Sequence, residues 1–193
     1  MIAAIVLAAG ESRRMGVPKL LLPFRAATII ETVLAHVTAS RVNAVLVVLG
    51  AGREEIEKRI GRFPVMTTVN ERFHEGMLTS IQKGVASLPG ACDAALIVLG
   101  DQPDISPDII NELIAGRERS HKGIAVPVFS GRRGHPLLLD LKYRREIARL
   151  SPERGLHELL EAHAGDVLEV ETQEATVLSD IDTPEDYRKA TGR

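Results

Sequence analysis

An α/β fold is predicted: a doubly wound, mostly parallel sheet flanked by helices. Three observations predict it. Short, almost wholly apolar runs alternate with amphipathic helical stretches along the whole chain. The runs are apolar at successive positions, as strands covered on both faces require. The stretches between them are long enough for right-handed helical crossovers. Ligands of such sheets bind at the carboxyl ends of the strands, near a topological switch point. The residues that follow strands therefore carry the functional argument.

"IAAIVLA" (2–8) reads as a buried strand. "TIIETVLAHVTAS" (28–40) places apolar residues at helical spacing, and Thr28 with Glu31 makes a capping-box pattern. "AVLVVLG" (44–50) is a second buried strand, and "GREEIEKRIG" (52–61) a charged amphipathic helix closed by Gly61. "VMTTV" (65–69) is a short strand, "GMLTSIQKGVASL" (76–88) a helix, and "AALIVLGD" (94–101) the strongest strand signal in the chain. From 106, "SPDIINELIAGRERS" is a helix with Ser106 as N-cap and Pro107 in its first position. "GIAVPVF" (123–129) is a strand, and "GHPLLLD" (134–140) a strand returning along the sheet. "LKYRREIARL" and "GLHELLEAHAG" read as helices, the second ended by Gly165. "VLEVE" and "ATVLSDID" read as short strands, and "TPEDYRKATG" as a closing helix with Thr183 as N-cap. No repeat, low-complexity segment or clear linker interrupts residues 1–193, so a single domain is expected; "SGRRGHP" (130–136) is the most loop-like stretch.

Composition narrows the partners. The net charge of −2 argues against nucleic acid and polybasic membrane contacts, which lean on excess Lys and Arg. Aromatics at 3%, with no Trp, leave no stacking platform for single strands. The one cysteine, Cys92, forms no intrachain disulfide and reads as structural. No signal-type stretch and no membrane-length apolar run is present, so a cytoplasmic location is expected.

"LAAGESRRMGVPK" (7–19) follows the first strand directly. Leu7, Ala8, Ala9 and Gly10 are small or apolar residues that let the backbone approach a ligand, and glycine tolerates a positive φ. Successive N–H groups form an anion nest. Arg13, Arg14 and Lys19 bring positive charge to the same place, and the combination suits a triphosphate. It is neither a Walker A loop nor a dinucleotide fingerprint, because the glycine spacing fits neither. Asp101, in "GDQPD" (100–104), ends the strongest strand, where an unpaired carboxylate needs a cation. Mg²⁺ suits it, because it binds one or two carboxylates together with substrate phosphates. Asp180 and Asp182 supply further carboxylates on one face of a strand-like "DID".

These segments resemble, in order, the signature LAxGxSxRMGxxK, the "GDQPD" and "GHP" (134–136) segments and the "DIDTPED" (180–186) segment of the MobA-like NTP transferase family. The likeness is greatest to its molybdenum cofactor cytidylyltransferase branch. The resemblance implies a Rossmann-like nucleotidyltransferase fold and transfer of CMP from CTP to the phosphate of a molybdopterin-type cofactor. It implies Asp101 and Asp182 as ligands of Mg²⁺, with Mn²⁺ as substitute. Lys19, Arg14 and Asp101 are the implied catalytic groups. Asn70, Gly76, Met77 and Ser80 fall in the family segment that closes over base and ribose. Gln102, Pro103, Arg133, Gly134, His135 and Pro136 are implied on the acceptor side, with Arg132 beside them, and a molybdoenzyme as recipient of the product. Ala9, where guanylyltransferases of the family carry a second glycine, favours CTP.

The chain departs from the family at "SPERGLHELL", where many cytidylyltransferases have a Gly-Asp-x-Gly-Ala-Arg-like stretch; here Leu156 and His157 follow Gly155. Two alternatives stay open: nucleotidyl transfer to another phosphorylated metabolite, and a non-catalytic molybdenum cofactor carrier. Relatives with an oxidoreductase role also exist, though the missing dinucleotide fingerprint counts against that role. His74, His121, His157 and His163 lack metal-ligand spacing and read as surface groups.

Overall fold

In the computed structural model, which describes residues 1–192, strands and helices alternate. They run β1 (Ile2–Ala8), β2 (Pro23–Phe24), β3 (Ala27–Thr28), α1 (Ile29–Thr38), β4 (Ala44–Leu49), α2 (Arg53–Ile60), β5 (Met66–Val69) and α3 (Met77–Ser87). The second half runs β6 (Ala94–Leu99), α4 (Pro107–Ser120), β7 (Ile124–Phe129), β8 (Arg132–Arg133), β9 (Leu137–Asp140), α5 (Arg144–Ile147), α6 (His157–Ala162), β10 (Val167–Glu171) and α7 (Pro184–Thr191).

The main sheet has the order β10-β7-β9-β6-β1-β4-β5, with β8 paired to β7. β1 pairs in parallel with both β4 and β6, and β4 with β5. β9 returns antiparallel between β6 and β7, and β10 runs parallel to β7. The chain builds outward from β1 through β4 to β5, then crosses back to β6 on the other side of β1. The switch point therefore lies between the carboxyl ends of β1 and β6.

β1 is central because both of its faces find apolar cover. Ala4, Val6 and Ala8 join one core with α1, α2 and α4 residues, including Ile30, Ile56 and Leu113. Ala3 and Ile5 join the other with α3, α5 and α6 residues, including Leu78, Ile147 and Leu159. This period-two division is what a strand between two helical layers requires. Thr28 caps α1 as the pattern predicts: it accepts from the Glu31 N–H, while the Glu31 carboxylate accepts from the Thr28 N–H and hydroxyl. Thr183 caps α7 with the same reciprocal box, through Asp186, whereas Ser106 caps α4 through its hydroxyl alone, which accepts the Ile109 N–H; each is followed by proline.

Several elements differ from the sequence reading. Residues 175–182 form no strand. Ala175–Leu178 is a 3₁₀ turn, and the segment after it is irregular. Its apolar pattern reflects burial of Val177, whose carbonyl accepts the His135 N–H at 2.9 Å. "SGRRGHP" is a tight hairpin, with Ser130 and Gly131 at φ 50° and 74° and Phe129 paired to Arg132. The helix expected over 155–165 spans only His157–Ala162 and ends before Gly165. The stretch 141–150 is a 3₁₀ turn followed by the single turn of α5. The β2–β3 hairpin had no sequence signal. No helix among the described residues is long and apolar enough to cross a membrane.

Candidate active site

The switch point opens a cavity of about 420 Å³. Its walls come from the loop after β1, the loop after β6, the start of α3 and the irregular segment before α7. Gly100 lets the β6 loop come close, because a Cβ there would lie 2.6 Å from the Leu7 carbonyl oxygen. The Gly100 N–H donates to that same oxygen at 3.0 Å.

The β1 loop turns at Ser12, whose φ is 54°. The Ser12 carbonyl accepts from Met15 N–H at 2.9 Å and Gly16 N–H at 3.1 Å, and its hydroxyl accepts from Lys19 N–H at 3.2 Å. The left-handed freedom expected at Gly10 is thus used at Ser12 and Gly16 instead. Among the described residues no protein group accepts from the N–H groups of residues 10–14. That row of donors is a surface an anion can take.

Below the loop, Lys19 Nζ lies 2.5 Å from Asp101 Oδ2 and 2.6 Å from Asp182 Oδ1. Arg14 pairs with the other Asp182 oxygen. Burial alone would pull the Lys19 ammonium down; the charges and hydrogen bonds of Asp101 and Asp182 outweigh it and hold it above its ordinary value. Burial would raise the Asp182 carboxyl, but the Lys19 hydrogen bond and charge, with Arg14, keep it below the usual range. Asp180 goes the other way, raised by burial and by the neighbouring charge of Asp182.

The cavity wall holds the side chains or backbone of Leu7, Ala9, Gly10, Arg14, Lys19, Gly76, Met77, Ser80, Asp101, Asp180 and Asp182. Ala8 is absent from it, because alternation along β1 turns its methyl into the core. Asn70 is also absent. It is buried, and its amide donates to Thr79 Oγ1 and Ser80 Oγ, each at 2.9 Å. Its side-chain oxygen accepts the Arg72 N–H at 3.0 Å, so it ties the 70–76 segment to α3 rather than facing a ligand. Phe73 and His74 complete the wall. They were missed because the 3₁₀ turn that presents them has no period in the sequence.

A second cavity of about 360 Å³ lies beside the first. Arg133, Gly134 and His135 line it, together with Arg154, Gly155, Leu156 and His157, so the segment that departs from the family pattern forms part of its wall. His157, read as a surface histidine, is one of these lining residues, and His74 faces the first cavity. Burial pushes the His135 imidazole below its ordinary value, only partly opposed by the charge of Asp101. Its Nδ1 is buried without a hydrogen-bond partner. Gln102 and Pro103, expected on the acceptor side, are buried and line neither cavity, because the turn after Asp101 folds them inward. Pro136 is buried behind His135, and Arg132 lies on the exposed hairpin outside both walls.

The donor set fits a divalent cation that a substrate shares. Two carboxylates already converge on one cation, and Asp101 Oδ1 has no hydrogen-bond partner among the described residues. The cavity lining carries Glu11, Asp101, Asp180 and Asp182 against Arg13, Arg14 and Lys19, so a polyphosphate entering it needs an added cation. No three His, Cys, Asp or Glu side chains among the described residues form a complete metal cage. Mg²⁺ does not require one, since it takes its remaining ligands from water and phosphate.

A sheet that opens such a cavity at its switch point places the chain among nucleotide-handling α/β proteins. More narrowly, the chain belongs to the MobA-like NTP transferase domain family, whose profile matches residues 4–167. It is 28% identical over 192 residues to molybdenum cofactor cytidylyltransferase of Escherichia coli K12, covering 100% of this chain and 96% of that one. It is 34% identical to purine catabolism protein PucB of Bacillus subtilis 168, covering 95% and 92%. It is 28% identical to nicotine blue oxidoreductase of Paenarthrobacter nicotinovorans, covering 95% and 93%. Rv0371c of Mycobacterium tuberculosis H37Rv superposes with a TM-score of 0.89 at 26% identity, covering 100% of this chain and 97% of that one. The same mycobacterial protein solved in complex with manganese gives 0.84 at 25% identity, covering 99% and 98%. The mostly parallel sheet flanked by helices is thus the nucleotidyltransferase fold, and family membership supports an enzyme.

Proposed function

We propose that the chain transfers CMP from CTP to the phosphate of a molybdopterin-type cofactor and releases pyrophosphate. The observation that carries the proposal is the Lys19 ammonium held between Asp101 and Asp182 beneath a loop with free N–H donors. In the reaction, an oxygen of the acceptor phosphate attacks the α-phosphorus of CTP. A new P–O bond forms, the α–β bridging P–O bond breaks, and pyrophosphate leaves with its electron pair. The acceptor oxygen is already anionic at neutral pH, so no general base is needed. The work of the protein is positioning and charge neutralisation.

Lys19 has three N–H donors, and two go to Asp101 and Asp182. The third serves a non-bridging α-phosphate oxygen as charge builds there. The N–H groups of residues 10–14 and the Arg14 guanidinium hold the β- and γ-phosphates. Asp101 and Asp182 would hold Mg²⁺. When bound, Mg²⁺ supplies charge neutralisation on the phosphates. The manganese found with the mycobacterial neighbour supports a divalent ion and suggests that Mn²⁺ substitutes. Ala9, which packs against Gly50 at the cavity wall, favours the smaller pyrimidine.

The test is pyrophosphate release with Mg²⁺ and each NTP in turn, with and without molybdenum cofactor. CTP-selective, cofactor-dependent release is expected. Folded protein that binds the cofactor but releases no pyrophosphate from any NTP is a carrier, and the proposal falls.

A further inference from the structure

Residues 175–182 carry Asp180 and Asp182 but form no strand, so no ladder holds them in place. Among the described residues, two backbone hydrogen bonds fasten this segment to the sheet side of the site. The Val177 carbonyl accepts the His135 N–H at 2.9 Å, and the Ile181 N–H donates to the Asp101 carbonyl at 3.0 Å. The side chains of Val177 and Ile181 are buried in one core. Just beyond them, the Thr183 N–H donates to the Asp186 carboxylate at 2.8 Å in the first turn of α7.

Gly134 stands against the first of these fastenings. A Cβ there would lie 2.3 Å from the Val177 carbonyl oxygen, 2.8 Å from its carbonyl carbon and 2.9 Å from its Cβ. No other described glycine comes so close to a backbone atom. Its φ is not left-handed, so close approach, and not backbone conformation, is what calls for glycine. Gly134 has no room to draw back, because its own N–H donates to the Pro127 carbonyl of β7 at 2.9 Å. Ordinary contact begins at 3.4 Å, so an added methyl would push Val177 away by about 1 Å in a close-packed interior.

We propose that Gly134 is a positioning residue for the transfer reaction: it lets Val177 seat, and so sets where Asp182 stands relative to Asp101 and Lys19. Ile181 carries the effect, because it lies between Asp180 and Asp182 and is bonded to Asp101 itself. A shift of Val177 therefore changes the spacing of the two carboxylates that share Lys19. Misplacement by about 1 Å in such a constellation costs on the order of 10²-fold in rate. The role rests on the transfer reading, and it acts through Asp182 without any contact between Gly134 and a substrate.

The experiment compares wild type with Gly134→Ala by hydrogen exchange and by Mn²⁺ titration, the free ion being read by electron paramagnetic resonance in the presence of CTP. No acceptor is present, so a contact of Gly134 with the acceptor would not move either readout. Exchange in residues 175–182 is expected to quicken at least about fivefold, with β1 and β6 unchanged. The Mn²⁺ midpoint is expected to rise about tenfold, the usual effect of losing a group that orients a metal ligand. Asp182→Asn and the double variant are expected to share one midpoint, because both changes act on the same carboxylate. Folded Gly134→Ala with wild-type exchange, with a wild-type midpoint, or with an effect that adds to that of Asp182→Asn overturns the proposal. If circular dichroism shows Gly134→Ala unfolded, Val177→Ala loosens the same seat while leaving every backbone bond. It is expected to change exchange and midpoint in the same direction, and wild-type values in it overturn the proposal. Wild type that takes up no Mn²⁺ with CTP and consumes no NTP sinks the transfer reading, while exchange still decides whether Gly134 seats the segment.

Discussion

Lys19 Nζ and Asp182 Oδ1 lie 2.6 Å apart although 163 residues separate them. Asp182 stands outside residues 4–167, the stretch matched by the family profile, yet it closes the site against the loop after β1. Lys19→Met leaves Asp101 and Asp182 facing each other without their shared cation. A loss of about 1–3 kcal/mol is expected in urea titrations, below the figure for fully buried pairs because all three side chains touch solvent. Transfer kcat/KM is expected to fall by about 10²–10³, the usual effect of losing one transition-state charge partner. Unchanged kinetics would remove Lys19 from the reaction.

Asp101 Oδ1 has no hydrogen-bond partner among the described residues, so that oxygen is open to an ion. Chelation with EDTA is expected to stop turnover in wild type, and added Mg²⁺ to restore it. Asp101→Asn is expected to move the Mg²⁺ midpoint upward by about tenfold or more, since metal affinity follows ligand charge. Thermal melts of the variant should stay close to wild type. A wild-type Mg²⁺ titration curve in this variant would place the ion elsewhere.

Ala9 is nearly buried and packs against Gly50, where a Cβ would come within 2.8 Å of the Ala9 methyl. Ala9→Gly removes that methyl from the cavity wall. The ratio of kcat/KM for CTP over GTP is expected to drop by about 10-fold, the low end of what one carbon in a pocket contributes. A ratio equal to wild type would mean that the base is read by other residues.

Gly84 lies on the face of α3 that presses on the sheet. A Cβ there would sit 2.5 Å from Ile5 Cγ2 and 3.1 Å from Val48 Cγ2. Alanine gains about 1 kcal/mol of helix propensity, but overpacking costs about 1–3 kcal/mol. Gly84→Ala is therefore expected to lower stability by up to about 2 kcal/mol in chemical denaturation. A stabilised variant would show that α3 can shift outward freely.

Tyr143 donates its hydroxyl hydrogen bond to Asp166, which also pairs with Lys142 at 2.7 Å. Burial, then the Asp166 hydrogen bond, push the phenol up to about 12. In the unfolded chain it titrates near 10. The folded state therefore holds the proton more tightly, and stability is fully present below about pH 10 and falls as pH rises toward 12. The loss attributable to Tyr143 is about 2 kcal/mol. Tyr143→Phe is expected to be less stable at neutral pH and flatter across that alkaline window. Parallel pH profiles of the two proteins would refute this.

Much of the fold is legible in local pattern. The strands 2–8, 44–49 and 94–99 announce themselves by unbroken apolar runs, and α1 by Thr28 and Glu31. "ATVL" before Ser179 carries the same apolar signal as a strand, yet it forms a 3₁₀ turn. Only the surroundings of Val177 distinguish the two, because burial against the His135 segment satisfies the same side chain that a sheet would. Asn70 shows the same limit within the site. Its polar side chain next to a strand end is consistent with ligand contact or with pinning a loop, and the partners Thr79 and Ser80 decide for pinning.

The sequence by itself determined the alternation of strands and helices, the caps, and the cationic loop that follows β1, because each depends on neighbours within a few residues. It also determined that carboxylates end the strongest strand and precede the last helix. The tertiary structure decided that Asp101 and Asp182 share one lysine, that Gln102 turns inward, and that Met77 stands between two cavities. These depend on strand order and on the crossover from β5 back to β6, which bring distant segments to one edge of the sheet. Local periodicity carries no record of that order, since the same apolar runs pair equally well in other arrangements.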